Sequence, residues 1–413
     1  MSLPRSGMTK DEILSQLDGL RRDDVDWKSG RCFSYVYNGG DEVRDVAREA
    51  TALYLSENAL NTNAFPSLGR LQSDVVHITA DLCHGGGEAA GFMTSGGTES
   101  ILCAVKAARE RGREQRGIAE PEMVVPESAH AAFHKGAHYF GVKAVTVPVR
   151  DDWRADVDAM ADAVTDRTVL VVGSAPQYPQ GVIDPIPELA AIAADAGAGF
   201  HTDACMGGFV LPFLERLGRE VPPWDFRVPG VTSISADLHK LGYTPKGASV
   251  ILHRTKELRR HQTFVFDQWL GGLYASSGIA GTKPGAPIAA AWAVLHFLGE
   301  DGYLRLTRAA VDAAQQLATG VRAVPGLRVL GEPEAHVVCI AADERLDIFA
   351  VGDALQARGW FLDRQAPPDS LHATVSAGNA PVIDDFLDAL RACVKQADGG
   401  RVDDRSTDYA TLE

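Results

Sequence analysis

Between about residues 120 and 255, short apolar runs alternate with helix-patterned segments, and this alternation limits the possible folds more than any other feature of the chain. "EMVVP" is followed by "AHAAFHKGAHYFG", then "KAVTVPV", then a helical pattern from Ala155 to Val164 that begins "ADVDAM". "TVLVVGSA" precedes the Ala-rich "IPELAAIAADAG", and "GFHTDAC", "VTSISAD" and "ASVILH" read as further strands. Strands that are apolar on both faces need cover on both faces, and helices at this spacing supply it. The pattern predicts an α/β domain on a mainly parallel sheet. Near residue 290 the pattern changes. "AAWAVLHFLGEDGYLRLTRAAVDAAQQLATGVRAV" reads as one long helix or two, followed by "LRVLG", "HVVCIAA" and "LHATVSA" as strands of a smaller α+β unit. The expected division is a helical, loop-rich segment over 1–70 with no core of its own, a large domain over 71–290 and a C-terminal domain over 291–413.

A chain of 413 residues with formal charge −15 can bury a large core but offers nucleic acid no overall basic face. Local cations can still hold a small anionic substrate. The longest apolar run, "PIAAAWAVLHFLG", falls short of the ~18–20 residues needed to cross a bilayer, and the start lacks a secretory signal's apolar centre. Six scattered cysteines show no CxxC or zinc-like spacing, so no metal is expected. Free thiols in a reducing cytoplasm are the simplest account.

The chemistry gathers around "SISADLHKLGYTPKG", residues 233–247, which ends a buried-looking strand on His239 and Lys240 and adds Lys246 six residues on. A lone lysine there is most often a solvated charge, but other features converge on it. In "FMTSGGTESI", Gly96, Gly97 and Thr98 precede a helical run, where backbone N–H groups and the helix dipole suit a phosphate. The same residues also make a plain helix cap, and the spacing is neither a Walker A loop nor GxGxxG. Asp203 ends the strand "GFHTD", at the edge where α/β sheets bind ligands, though it too suits a cap. His130, in "PESAHAAFHKG", follows another strand; alone it reads as structural. Together these residues meet the needs of pyridoxal 5'-phosphate: a glycine-rich helix start for its phosphate, a carboxylate for its ring nitrogen, a flat partner for its ring and an amine for its aldehyde. Lys240 must lose its proton, from an ordinary pKa of ~10.4, and cationic neighbours such as His239 and Lys246 help it do so.

"TSGGTES", "ESAHAAFHKGAHYFG", "PQYPQGVIDPIPE", "DACMGGF", "DFRVPGVTSISADLHKLGYTPKG" and "GGLYASSGIAGTKPG" resemble the sphingosine-1-phosphate lyase family, closely from about residue 30 to 300 and recognisably to about 395. The resemblance implies pyridoxal-phosphate fold type I, aspartate-aminotransferase-like, related to the group II decarboxylases, and a soluble bacterial type without a membrane anchor. It implies retro-aldol cleavage of the C2–C3 bond of a phosphorylated sphingoid base, giving a long-chain aldehyde and phosphoethanolamine. By the same resemblance Lys240 is the cofactor lysine and His239 lies near the cofactor phosphate. Thr282 reaches that phosphate from the partner of a homodimer with shared sites. Tyr37, also from the partner, approaches the substrate phosphate, and Asn58 lies in the substrate loop. Tyr178 assists catalysis, and Lys246 holds phosphate or moves a proton. Asn61 stands where many relatives have a histidine; it can hydrogen-bond a phosphate but carries no charge.

Two alternatives stay open on sequence. One is an amino acid decarboxylase of the same fold, which would need a cation for its substrate's carboxylate where "DSLHATVSAG" offers His372 and no arginine. The other is a non-catalytic cofactor-binding protein. The aromatic run "TFVFDQWLGGLY" reads as interface packing, or as the border of a channel for a lipid tail.

Overall fold

The computed structural model describes residues 2–397 and 400–407. Helix α1 (Lys10–Leu20) starts on a Thr9–Glu12 capping box, which satisfies two of the otherwise unpaired amides at its start. It buries none of its residues. Two further helices, α2 (Asp41–Leu53) and α3 (Pro66–Leu82), pack on the main core through Val43, Ala47, Leu68 and Val75.

The centre is a seven-stranded sheet. Its elements in chain order are β1 (Ala90–Thr94), α4 (Gly97–Arg116), β2 (Glu122–Pro126), α5 (Ala132–Phe140), β3 (Lys143–Val147), α6 (Val157–Ala163), β4 (Thr168–Ser174), α7 (Ile186–Asp195), β5 (Gly199–Asp203), α8 (Leu211–Arg216), β6 (Val231–Ala236) and β7 (Ser249–His253). The spatial order is β1-β7-β6-β5-β4-β2-β3. Neighbours from β6 to β3 run parallel, and only β7 runs against them, pairing antiparallel with β6 and with β1. Strands β2, β4 and β5 are buried at every residue, as their unbroken apolar runs require of a sheet covered on both faces. The register aligns the strand ends. Ser174 pairs with Asp203, and Asp203 with Ser235, so three polar side chains finish adjacent strands at one edge.

After α9 (Lys256–Arg260) the chain forms an isolated hairpin, β8 (Phe264–Phe266) and β9 (Tyr274–Ser276), whose Leu270 and Leu273 stand in solvent. Helix α10 (Gly285–Arg322) follows, broken once at Gly299 by a positive φ of 55° that glycine tolerates. The C-terminal part holds β10 (Leu327–Leu330), β11 (Val337–Ala342), α11 (Ile348–Gln356), β12 (Asp363–Gln365), β13 (Ser370–Thr374) and α12 (Ile383–Ala397). Its four strands form an antiparallel sheet in the order β10-β11-β13-β12. Phe33, from the N-terminal segment, lies in the apolar core of this smaller sheet, and Asn379 donates to the carbonyls of Gly30 and Cys32.

Candidate active site

Five strands end on one cavity of about 300 Å³. From the end of β1 come Gly96, Gly97 and Thr98; from β2, His130; from β4, Tyr178; from β5, Asp203; from β6, Asp237, His239 and Lys240. This is the carboxyl edge of the sheet, where the strand-to-helix turns of an open α/β fold converge.

The glycine turn is shaped by close approach. A β-carbon on Gly97 would stand 2.7 Å from Asp237 Oδ2 and 2.8 Å from Cys205 Sγ, and one on Gly96 would stand 3.1 Å from His239 Cε1. Only residues without side chains let α4 begin this close to the ends of β5 and β6. Gly96 caps α4 without a side-chain hydrogen bond, which leaves first-turn amides at the positive end of a twenty-residue helix for an anion. Glu99 braces the turn: it accepts from the Ser95 amide and hydroxyl at 2.7 Å each, and from the Ile279 amide at 2.8 Å.

Lys240 Nζ lies 3.0 Å from Asp237 Oδ2, and His239 Nε2 lies 3.7 Å from the same oxygen. Burial works against the Asp237 charge, but the Lys240 ammonium and then His239 outweigh it and hold the carboxyl below its ordinary range. Its Oδ1 has no hydrogen-bond partner of good geometry among the described residues, because the nearby Ser249 hydroxyl donates to the Ala236 carbonyl instead. His239 Nδ1 is likewise buried without a partner, and burial pushes this imidazole down to about 4, so it is neutral at pH 7. Asp237 is a site residue that the sequence reading does not single out. Its position three residues before Lys240, where a buried strand ends, is the available signal.

Asp203 is buried and accepts from the Cys205 amide at 3.0 Å and the Ser235 hydroxyl at 3.1 Å. Ser235 also meets His201 Nε2 at 3.1 Å, and burial keeps His201 neutral at about 4. His130 is half-buried, its Nδ1 accepting from the Ala132 amide at 3.1 Å; burial lowers it while Asp203 pulls the other way. Tyr178 spans the two sheets. Its hydroxyl donates to Asp363 Oδ2 at 3.0 Å, and its ring stacks on His372 at 4.0 Å.

The remaining expected residues lie outside this cavity in two groups. Lys246 and Tyr37 form one: the ammonium donates to the His239 carbonyl at 3.1 Å and sits 4.7 Å from the tyrosine ring. Lys246 keeps exposed surface, yet protein atoms crowd it. That desolvation, with Lys240 adding repulsion, pushes it down to about 8. Asn58, Asn61 and Thr282 form the other. Asn58 bridges to Pro284, Asn61 accepts from the Asn63 amide at 3.0 Å, and Thr282 is exposed on the loop before α10. Neither Phe264, Phe266 nor Trp269 borders the cavity; all three are exposed on the hairpin.

Pyridoxal phosphate fits the residues present. The cradle closes if a β-carbon is added at Gly97, α4 offers uncapped amides, Lys240 reaches the cavity, and His239 brings an orphaned ring nitrogen beside the turn. No arginine lines the cavity among the described residues, so nothing there grips an α-carboxylate in bidentate fashion.

The comparisons agree with this geometry. Residues 10–342 match the pyridoxal-dependent decarboxylase conserved domain. The sphingosine-1-phosphate lyase of Arabidopsis thaliana is 44% identical over 93% of this chain and 72% of its own length. That of Oryza sativa is 41% identical over 95% and 74%. A solved sphingosine-1-phosphate lyase of Burkholderia pseudomallei superposes with a TM-score of 0.92 at 42% identity, covering 96% of this chain and 93% of its own.

Proposed function

The chain belongs to the sphingosine-1-phosphate lyase family, and from that premise we propose that it cleaves the C2–C3 bond of phosphorylated sphingoid bases, releasing a long-chain aldehyde and phosphoethanolamine. It is a pyridoxal-phosphate-dependent lyase of fold type I. The observation that carries the reading is the single cavity in which Lys240, Asp203, His130 and the Gly96–Thr98 helix start converge.

Gly96, Gly97, Thr98 and His239 would hold the cofactor phosphate, Asp203 its ring nitrogen and His130 its ring face. When bound, the cofactor supplies an electrophilic carbon and a protonated ring that takes up the electron pair freed as the C2–C3 bond breaks. The chain's own work is positional and protonic. Lys240 must become neutral to act as a nucleophile, and the Asp237 carboxylate 3.0 Å away orients that amine while its charge holds the proton rather than taking it. Asp203, fixed by Cys205 and Ser235, is oriented before any ligand arrives. Tyr178 presents a hydroxyl aimed at Asp363, which locks its rotor at the cavity wall. Lys246 supplies a cation suited to the substrate phosphate, with Tyr37 beneath it.

Homodimerisation with shared sites is part of the proposal. Thr282, Asn58 and Asn61 lie on loops outside the cavity of their own chain's Lys240, which suits service to a neighbour. Tyr37 lies against its own chain's Lys246, which bonds the His239 carbonyl, so within one chain this pair stands beside that chain's own Lys240. No helix among the described residues is long and apolar enough to cross a membrane. A cytoplasmic location is proposed from the six cysteines, all buried and none paired.

The test begins with the absorption spectrum of the protein loaded with cofactor, borohydride reduction and mapping of the modified lysine. Incubation with a sphingoid-base phosphate should then release aldehyde. A label on any lysine but Lys240, or carbon dioxide from amino acids in place of aldehyde, would overturn the reading.

A further inference from the structure

Behind Asp203 the sheet buries a row of polar side chains, His201 on β5 with Ser233 and Ser235 on β6. His201 pairs in register with Ser233 and Asp203 with Ser235, so the two-residue repeat of both strands puts all four on one face. We propose that Ser233, His201 and Ser235 are positioning residues, a one-way hydrogen-bond relay that holds Asp203 as acceptor for the cofactor's protonated ring nitrogen. The inference rests on the reading of Asp203 as that nitrogen's partner.

The direction of each bond follows from where the protons are. The Asp203 carboxylate has none to give, so the Ser235 hydroxyl donates to its Oδ1 at 3.1 Å, beside the Cys205 amide at 3.0 Å. That uses the one hydroxyl proton, and Ser235 Oγ must accept from His201 Nε2 at 3.1 Å. Its other lone pair takes the Cys205 thiol at 3.3 Å, which burial keeps protonated. His201 is fully buried and neutral, and with its proton on Nε2 the bare Nδ1 accepts from the Ser233 hydroxyl at 2.9 Å. Phe133 packs edge-on to the imidazole, centroid to centroid 5.8 Å, and holds its plane. The three bonds therefore all run toward the cavity, and aligned donors strengthen one another where water is excluded. Apolar side chains would fill these positions in the sheet without the cost of burying polar atoms. Orientation alone would need only the Cys205 amide, so the row behind it calls for a purpose.

The test titrates the cofactor-free protein by absorbance, once with pyridoxal phosphate and once with an analogue that has carbon in place of the ring nitrogen. The unmodified protein should prefer the natural cofactor. Ser235→Ala should reduce that preference about tenfold and His201→Phe about threefold, as loss of a bond to a charged group and of its support would. Affinity for the carbon analogue should stay within about twofold, which also shows that the variants fold. His201→Gln, whose amide can donate to Ser235 and accept from Ser233, should restore most of the preference. In the loaded protein, the NMR shift of an isotopically labelled ring nitrogen should move toward its unprotonated value in Ser235→Ala and His201→Phe. A merely structural defect lowers both affinities together and leaves their ratio unchanged; that result, or an unmoved nitrogen signal, would overturn the relay. Asp203→Asn separates the two readings. If it abolishes the preference while the other variants keep it, only the relay falls; if it too keeps the preference, the ring nitrogen does not sit at Asp203 and the inference falls with that placement.

Discussion

Asp237 and Lys240 stand three residues apart in the turn after β6, and the 3.0 Å between their charged atoms constrains both. Lys240→Ala should lower cleavage at least about a thousandfold, as deletion of a covalent group does, and abolish borohydride labelling at this site. Asp237→Asn should destabilise the cofactor-free protein by roughly 2 kcal/mol, below the ~3–5 of a fully buried pair because Lys240 borders a cavity. The carboxyl sits below its unfolded pKa, so its stabilisation is present above that unfolded value and is lost as pH falls through the folded one. Acid melts of the two proteins should therefore converge at low pH. Lys246, pushed down to about 8, loses its charge between pH 7 and 9. The KM for a phosphorylated substrate should rise over that window, and Lys246→Ala should raise it about tenfold at pH 7 and remove the pH dependence. For folding the sign reverses: the native state favours the neutral amine, so stability rises with pH between about 8 and the ordinary lysine value near ~10.4. The sequence points to Lys240, His239, Asp203, His130 and the glycine turn because each ends a strand or starts a helix, and the structure brings these residues to one cavity. Asp237 is not legible in the same way, because a carboxylate near a lysine reads as surface charge until the strand's register shows it buried.

Strand β1 and helix α4 meet at a turn with no room for a side chain. Gly97→Ala puts a methyl within 2.7 Å of Asp237 Oδ2, and the helix start must shift to admit it. A stability loss of about 1–3 kcal/mol is expected, with cofactor affinity falling more than about tenfold in a spectrophotometric titration. Strands β2, β4, β5 and β6 are legible because apolar runs bounded by turns have few other meanings. The reversal of β7 is not, since "ASVILH" reads the same in either direction and only its pairing with β1 and β6 fixes its sense. Strand β1 is hidden too: "AGFMT" is short, contains a glycine that would clash with Leu252 and Ile251 if substituted, and merges into the phosphate-type turn. The helix read from residue 290 begins at Gly285, where its amide bonds the Glu57 carbonyl, a long-range contact that local pattern does not carry.

For the molecule as a whole, exposed apolar side chains are gathered on α1 and on the β8–β9 hairpin, where Ile13, Leu14, Leu17, Leu270 and Leu273 are each at least 43% exposed. Such surface is unusual on a protein that works alone. The chain should sediment as a dimer, and Leu270→Asp combined with Leu273→Asp should shift it toward monomer with loss of cleavage. Mixing Lys240→Ala subunits with Thr282→Ala subunits should recover part of the activity lost by each, through one intact composite site; no recovery would argue against sharing. Within one chain, α10 contributes Leu306, Ala310 and Val311 to the core of the large sheet, and Ala314, Leu317 and Val321 to that of the small one. One uninterrupted rod after Gly299 is thus a beam common to both lobes, and neither can lose its packing without loosening the other. Heating should produce a single calorimetric peak, with no plateau in which one lobe has melted and its neighbour has not.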